Sequence, residues 1–147
     1  MRRELDNLFK FIKTSNVLFL NIDKPSWANA RGYVFEKETK VLYFPVLNRY
    51  LKDKDLKKFQ VKVKGSRFKH AILTGILSSA TENNDIEKVF NYLVKQSKWS
   101  EQKARYSLFD VRNGKPRKGR FKLKIVKVLF SDPGFYGDKD LREIKLT

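Results

Sequence analysis

The chain has 147 residues and a formal net charge of +17, with 33 Lys and Arg against 16 Asp and Glu. It lacks cysteine, which excludes disulfides and thiolate metal sites, and its single histidine, His70, argues against a histidine-based metal site or a Ser–His–Asp triad. No apolar run approaches the ~20 residues of a membrane span. We therefore expect no membrane partner and a cytoplasmic location. The length is typical of one domain, so we predict a single domain over 1–147, with 131–147 as an extended tail.

The first third of the chain predicts a helix followed by a three-stranded meander. Leu5, Leu8, Phe9 and Ile12 recur at helical spacing and predict an amphipathic helix over 4–13. Three runs rich in β-branched and aromatic residues follow, separated by polar turns, and each predicts a strand. These runs are 16–23, 27–36 and 40–46.

The remaining residues predict three further strands interleaved with helices. The predicted strands are 61–65, 67–81 and 121–130; the predicted helices are 84–97 and 100–109, and 48–59 is predicted as a short helix or helical loop. Leu51, Leu56 and Phe59 form the expected buried side of the 48–59 segment. Gly75 marks a bulge inside the long strand, and Asn84 begins the next helix with a capping-box pattern. Six antiparallel strands with a late helical insertion predict an α+β fold built on a barrel.

The basic residues are spread from Arg2 to Lys145 and mostly alternate with apolar residues. This layout predicts a folded domain with a positive surface, because a basic tail would concentrate the charge in one segment. A surface of this sign favours an anionic ligand. The candidates are a phosphorylated cofactor, a nucleic acid and an acidic lipid surface.

Two small clusters are candidates for holding such a ligand. Leu47, Asn48, Arg49, Lys52 and Lys54 follow the third strand, where basic and amide groups at a helical turn suit phosphate. A solvated basic loop is the simpler interpretation of that run taken alone.

The second cluster is in the second strand, where Asn29 and Arg31 alternate with Ala28, Ala30 and Gly32. Small residues on one side of a strand allow a flat ligand to approach it closely. An ordinary half-exposed strand explains the pattern equally well.

A nucleic-acid-binding barrel is the alternative from a different functional class. The run 113–120 contains Lys115, Arg117, Lys118 and Arg120, which suit phosphate oxygens, although a solvated hairpin loop is the simpler interpretation. Aromatic residues interleaved with the basic ones are typical of surfaces that stack bases, although most are expected in the core or at an interface. These aromatics are Trp27, Tyr33, Tyr43, Tyr50, Trp99 and Tyr106.

No acidic pair in the sequence predicts general acid–base chemistry. Asp53 with Asp55, and Glu82 with Asp85, lie among lysines and are interpreted as local charge balance. The chain also lacks a P-loop and a G-x-G-x-x-G motif.

The order of elements resembles the flavin-binding split β-barrel proteins, which include pyridoxamine-phosphate oxidase-like proteins and deazaflavin-dependent reductases. The likeness covers roughly residues 4–130 and lies in pattern and order. The stretches that carry it are LDNLFKFIKTSNVLFLNID, WANARGYVFEKETKVLYFPV, LKDKDLKKFQVKVKG, HAILTGILSSATENNDIEKVFNYLVKQ and FKLKIVKVLF. The segment NRYLKDK departs from the family's usual Arg/Thr/Ser-rich phosphate pattern.

The resemblance implies a homodimer that binds FMN or a deazaflavin and transfers hydride as an oxidoreductase. On that template, Asn29 and Arg31 face the ring and ribityl region, while the end of the third strand and the next turn hold phosphate. The phosphate-holding residues are Leu47, Asn48, Arg49, Lys52 and Lys54. No side chain is nominated as a general acid. The choice between FMN, a deazaflavin, haem and an empty site stays open, as does the substrate.

Overall fold

The computed structural model describes residues 2–15, 17–21, 26–27, 33–46, 51–65 and 68–146. These residues form four α-helices and eight strand segments. The helices are α1 (Arg2–Thr14), α2 (Asn83–Lys95), α3 (Glu101–Leu108) and α4 (Pro133–Tyr136). The strands are β1 (Val17–Asn21), β2 (Ser26–Trp27), β3 (Val34–Glu36), β4 (Val41–Pro45), β5 (Phe59–Lys64), β6 (His70–Ser79), β7 (Arg120–Ser131) and β8 (Arg142–Ile144).

All strand pairings are antiparallel, in the order β2-β1-β5-β6-β7-β4-β3, with β8 added beside β7. The six predicted strands are present, which confirms the α+β class, the antiparallel sheet, the N-terminal helix and the later helices. The second predicted strand is represented by β2 and β3, and residues 28–32 between them lie outside the described residues. The segment β8 was not predicted.

One apolar core draws residues from both ends of this strand order. Leu18 of β1 and Phe35 of β3 belong to the same buried cluster as Leu8 and Ile12 of α1. A sheet in which strands near both ends of the order share one core with a helix is wrapped around that core, so the fold is barrel-like. Strand β5 shows how each strand presents one face to this core: Val61 and Val63 are buried, and the intervening side chains are not, because successive side chains of a strand point to opposite faces.

A second apolar cluster lies on the outer face of the sheet. Helices α2 and α3 contribute Ile86, Val89, Leu93, Ala104 and Leu108, which pack with side chains of β3, β4 and the end of β6. The apolar stripe predicted for α2 therefore covers the outside of the barrel, not its core. This packing places both helices above the β4–β7 region of the sheet.

The bulge predicted at Gly75 is confirmed. The register shifts between Thr74 and Gly75, which pair with Lys127 and Ile125, so Val126 of β7 is the extra residue. A Cβ atom on Gly75 would lie 2.0 Å from the carbonyl oxygen of Lys124. Only glycine permits this approach of the two backbones.

One local prediction holds in part and another was wrong. Over 48–59, predicted as a short helix or helical loop, the described residues form a loop with a 3₁₀ turn at Leu56–Lys58, capped by the Asp55 carboxylate, which accepts from the Lys57 N–H. Phe59 is buried as expected, whereas Leu56 is exposed. The capping box predicted at Asn84 is absent: α2 has Glu82 as its N-cap, and the Glu82 carboxylate accepts no capping hydrogen bond.

The C-terminal residues pack against α1. Asn7 Nδ2 donates to Asp132 Oδ2 at 2.9 Å, and the Tyr136 hydroxyl donates to Glu4 Oε1 at 2.9 Å. Strand β8 then pairs with β7 through residues 142–144. Within the described residues, no helix is long and apolar enough to cross a bilayer.

Candidate functional site

The predicted cofactor-binding residues fall mostly outside the described part of the chain. Asn29, Arg31, Leu47, Asn48 and Arg49 lie outside the described residues, so their arrangement stays a prediction. Lys52 and Lys54 are described, and both are exposed on the turn that precedes the 3₁₀ segment. These two lysines are accessible to an anion.

Arg120 is the most unusual cation of the described structure. It begins β7, where it pairs with Pro45, and the neighbouring Val46 N–H donates to the Gly119 carbonyl at 2.8 Å. The side chain lies on the outer face of the sheet beneath α3, and only 5% of the residue is exposed. The predicted phosphate-holding segment begins at Leu47, directly after Val46 in the sequence.

The guanidinium of Arg120 is only partly satisfied. Its Nη1 donates to Ser107 Oγ at 3.2 Å, whereas its Nη2 has no hydrogen-bond partner among the described residues. None of the ion pairs formed by these residues includes Arg120. Burial lowers the pKa of Arg120 to about 10, so the group stays charged at neutral pH. A buried cation with a free donor is a ready partner for an anion.

Arg120, Lys122 and Lys124 form a row of cations along the outer face of β7, which we call the β7 cation row. Alternation places the three side chains on one side of the strand. Their surroundings differ: Arg120 lies under α3, Lys122 is paired with Asp85 of α2, and Lys124 is exposed. The row therefore runs from a buried end to an open end.

The open end lies in a cleft of about 530 Å³ between the outer face of the sheet and α2, which we call the outer cleft. Strands β3, β4, β6 and β7 form its floor, and the first two turns of α2 form one wall. Its polar lining includes Glu36, Tyr43, Ser78, Asp85, Lys88 and Lys124.

Two buried carboxylates in the outer cleft are each held by a lysine. Lys122 Nζ lies 3.0 Å and 3.2 Å from the two carboxylate oxygens of Asp85, and Lys88 Nζ lies 3.4 Å from Glu36 Oε1. The Thr39 hydroxyl also donates to Glu36 Oε1. Both ion pairs join α2 to the sheet, so they stabilise the helix that forms the wall of the cleft.

Tyr43 lies in the same cleft and stays protonated over a wide pH range. Burial raises the pKa of its phenol to about 12, and the negative charges of Glu36 and Asp85 act in the same direction. A neutral phenol is a hydrogen-bond donor at every physiological pH. Burial likewise raises the pKa of Tyr33, whose hydroxyl donates to the Ile12 carbonyl at 2.8 Å.

Replacement of Tyr43 by phenylalanine is expected to remove one tyrosine whose pKa lies above the usual value. In the wild type, the stability that rests on a neutral Tyr43 is fully present below pH 10 and is lost as the pH rises toward 12, because the unfolded state ionises first. The free energy of unfolding of the wild type, relative to Y43F, should fall by about 1–3 kcal/mol over that range. Tyrosinate absorbance and urea unfolding at pH 9 and pH 11 measure both effects. A tyrosine titration curve identical in the two proteins would contradict the assignment.

A third basic region combines α3 with the hairpin that follows it. The hairpin is closed by the Phe109–Pro116 bridge, and Arg117 Nε donates to the Tyr106 carbonyl at 2.7 Å. Tyr106 is 52% exposed and lies among exposed cations. These cations are Lys103, Arg105, Arg112, Lys115, Arg117 and Lys118. We call this region the α3–hairpin surface.

Sequence reasoning missed the roles of Arg120, Glu36 and Asp85. In the sequence, Arg120 belongs to a basic run for which a solvated loop is the simpler interpretation, and Asp85 is interpreted as local charge balance. Position in the sequence was the signal that could have identified them. Arg120, Lys122 and Lys124 alternate along one strand and so share a face, and Asp85 lies directly before the apolar stripe of α2. Among the aromatic residues, Tyr33 and Tyr43 are buried, as expected for core positions. Within the described ranges, no group of three or more His, Cys, Asp or Glu is placed to hold a metal ion.

Comparison with known proteins identifies no family. No family model matches the chain, and no curated protein sequence is significantly similar to it. Among solved structures, the crystal structure of an epitope-tagged HupZ from Group A Streptococcus is similar, with a TM-score of 0.49 and 13% identity. The match covers 88% of this chain and 93% of that one. At this level, the likeness supports no inference about function.

Proposed function

We propose that this protein binds a phosphorylated flavin-type cofactor, FMN or a deazaflavin, and acts as an oxidoreductase through it. The observation that carries the proposal is the buried guanidinium of Arg120, whose Nη2 has no partner among the described residues. A phosphate oxygen is the acceptor that such a donor lacks, because arginine binds phosphate through charge-assisted and often bidentate hydrogen bonds.

The position of Arg120 supports the same proposal. It lies beside the end of β4, and the predicted phosphate-holding residues begin one residue beyond Val46. Lys52 and Lys54 are exposed further along the same connection and add positive charge. When bound, a flavin supplies the hydride chemistry itself. Arg120, Arg49, Lys52 and Lys54 would anchor the phosphate, and Asn29 and Arg31 would contact the ring and ribityl region.

The test compares ligands that differ only in the phosphate. The purified protein is titrated with FMN and with riboflavin in ~0.15 M salt, where exposed charges are screened beyond ~8 Å, and flavin fluorescence is followed. We expect saturable binding of about one FMN per chain and about 10- to 100-fold weaker binding of riboflavin, the effect of charge-assisted hydrogen bonds. A deazaflavin titration then separates the two cofactor types. Equal affinities for FMN and riboflavin, or no saturable binding, would refute the proposal.

The proposal includes a homodimer with two equivalent sites at the interface. Sedimentation equilibrium of the purified protein, with and without FMN, tests this part separately. A protein that is monomeric at every concentration would refute the dimer. The cofactor site is tested independently by the titration.

The α3–hairpin surface favours a second candidate function, binding of single-stranded nucleic acid. Exposed Tyr106 offers a face for base stacking, and the surrounding cations offer partners for phosphate. On a log–log plot, affinity should fall with salt at a slope of about −0.7 per neutralised phosphate. If binding depends on salt with this slope and is weakened by Tyr106→Ala, while FMN does not bind, this function replaces the first.

A further inference from the structure

We propose that the outer cleft is a binding site for a small organic anion, a carboxylate or phosphate carried on an apolar body. The site is separate from the proposed cofactor site at the end of β4. Its volume of about 530 Å³ lies within the ~300–1,000 Å³ typical of small-molecule sites.

The charges of the outer cleft favour an anion. Glu36 and Asp85 are each paired with their own lysine, Lys88 and Lys122, so these four charges cancel. Lys124 is the remaining charged residue of the lining, and no ion pair among the described residues includes it. The cleft therefore carries a net charge of +1, located on Lys124.

The strand register surrounds Lys124 with apolar side chains. Lys124 of β7 pairs with Val41 of β4 on one side and with Ile76 of β6 on the other. Directly opposed side chains on one sheet face are about 5 Å apart at Cβ, so the three form a continuous row. Ile76 is 47% exposed in this cleft. A cation between two partly uncovered aliphatic groups is suited to an organic anion, because a hydrated inorganic ion would leave the aliphatic surface exposed to water.

The next row of the sheet supplies hydrogen-bonding groups. Lys122 pairs with Tyr43 on one side and with Ser78 on the other. The phenol of Tyr43 is a neutral donor, and the hydroxyl of Ser78 both donates and accepts. The anionic head would bind Lys124 with help from these two groups, while Val41 and Ile76 contact its apolar body.

The test uses model ligands of one shape and different charge. Backbone amide shifts of the ¹⁵N-labelled protein are followed during titration with benzoate, phenyl phosphate and the neutral benzyl alcohol. We expect saturable shifts for the two anions at residues 41–43, 76–78 and 122–124, and none that saturate for benzyl alcohol. Lys124→Gln should weaken benzoate binding about tenfold, the loss of one charge-assisted hydrogen bond.

Lys127→Gln is the matched control. Lys127 is on the same strand, is exposed and pairs with Glu143 outside the cleft, so its loss should leave benzoate affinity unchanged. Equal weakening by K124Q and K127Q, or shifts spread over the whole basic surface, would overturn the proposal. Saturating FMN should not displace benzoate, and displacement would refute a separate site. A failure of FMN to bind refutes the cofactor proposal alone, since the benzoate titration does not depend on it.

Discussion

Replacement of Arg120 by methionine is expected to make the protein more stable while abolishing its preference for FMN over riboflavin. The wild-type guanidinium is buried, carries a charge and leaves Nη2 without a partner among the described residues. A buried donor without a partner costs about 1–3 kcal/mol, more when it is charged, and an apolar side chain of similar length removes this cost. We expect about 1–2 kcal/mol, which raises Tm by about 3–8 °C. Affinity for FMN should fall about 10- to 100-fold.

Thermal unfolding and the FMN titration together measure this prediction. Arg120→Lys retains the charge but loses the planar donor pair, so it should bind FMN with intermediate affinity. Arg112→Met is the matched control, because the Arg112 side chain is 88% exposed and its ion pair among the described residues is with nearby Asp110. An R120M protein that is less stable than the wild type and binds FMN unchanged would show that Arg120 is structural.

Substitution of Gly75 by alanine is expected to cost about 3 kcal/mol or more of the free energy of unfolding, a severe case of overpacking. The new Cβ would lie 2.0 Å from the Lys124 carbonyl oxygen and 2.8 Å from its carbon. Both contacts are with backbone, which moves only if β6 and β7 separate. A loss of this size is a large share of the ~5–15 kcal/mol that stabilises a typical domain.

Urea unfolding followed by circular dichroism measures this loss. Gly134→Ala is the control, since the nearest atom to its new Cβ would be 3.7 Å away, an ordinary contact. Its unfolding free energy should stay within about 1 kcal/mol of the wild type. If G75A is as stable as G134A, the backbones at the bulge are not in tight contact, and the register of the outer cleft needs revision.

The local pattern of the chain was sufficient for the elements of the barrel. The apolar stripe of Leu5, Leu8, Phe9 and Ile12 predicted α1, and the alternation of valine and lysine predicted β5, because both depend on short-range periodicity. The bulge at Gly75 was also predictable, since glycine inside a strand marks such a site. The helical loop predicted over 48–59 ends one residue earlier than expected, because Phe59 belongs to β5 and buries its ring in the barrel core.

The placement of charge was decided by tertiary structure alone. Asp85 and Lys122 are 37 residues apart in sequence, and they pair because α2 packs on the outer face of the sheet. The apolar stripe of α2 predicts that the helix packs on a sheet, but not on which face. The burial of Arg120 depends in the same way on where α3 packs. By itself, the sequence determined the six main strands, the helices α1, α2 and α3, and the excess of positive charge. Only the packing of α2 and α3 decided which cation of the β7 cation row is neutralised, which is buried and which stays open in a cleft, because long-range contacts set the solvation of each charge.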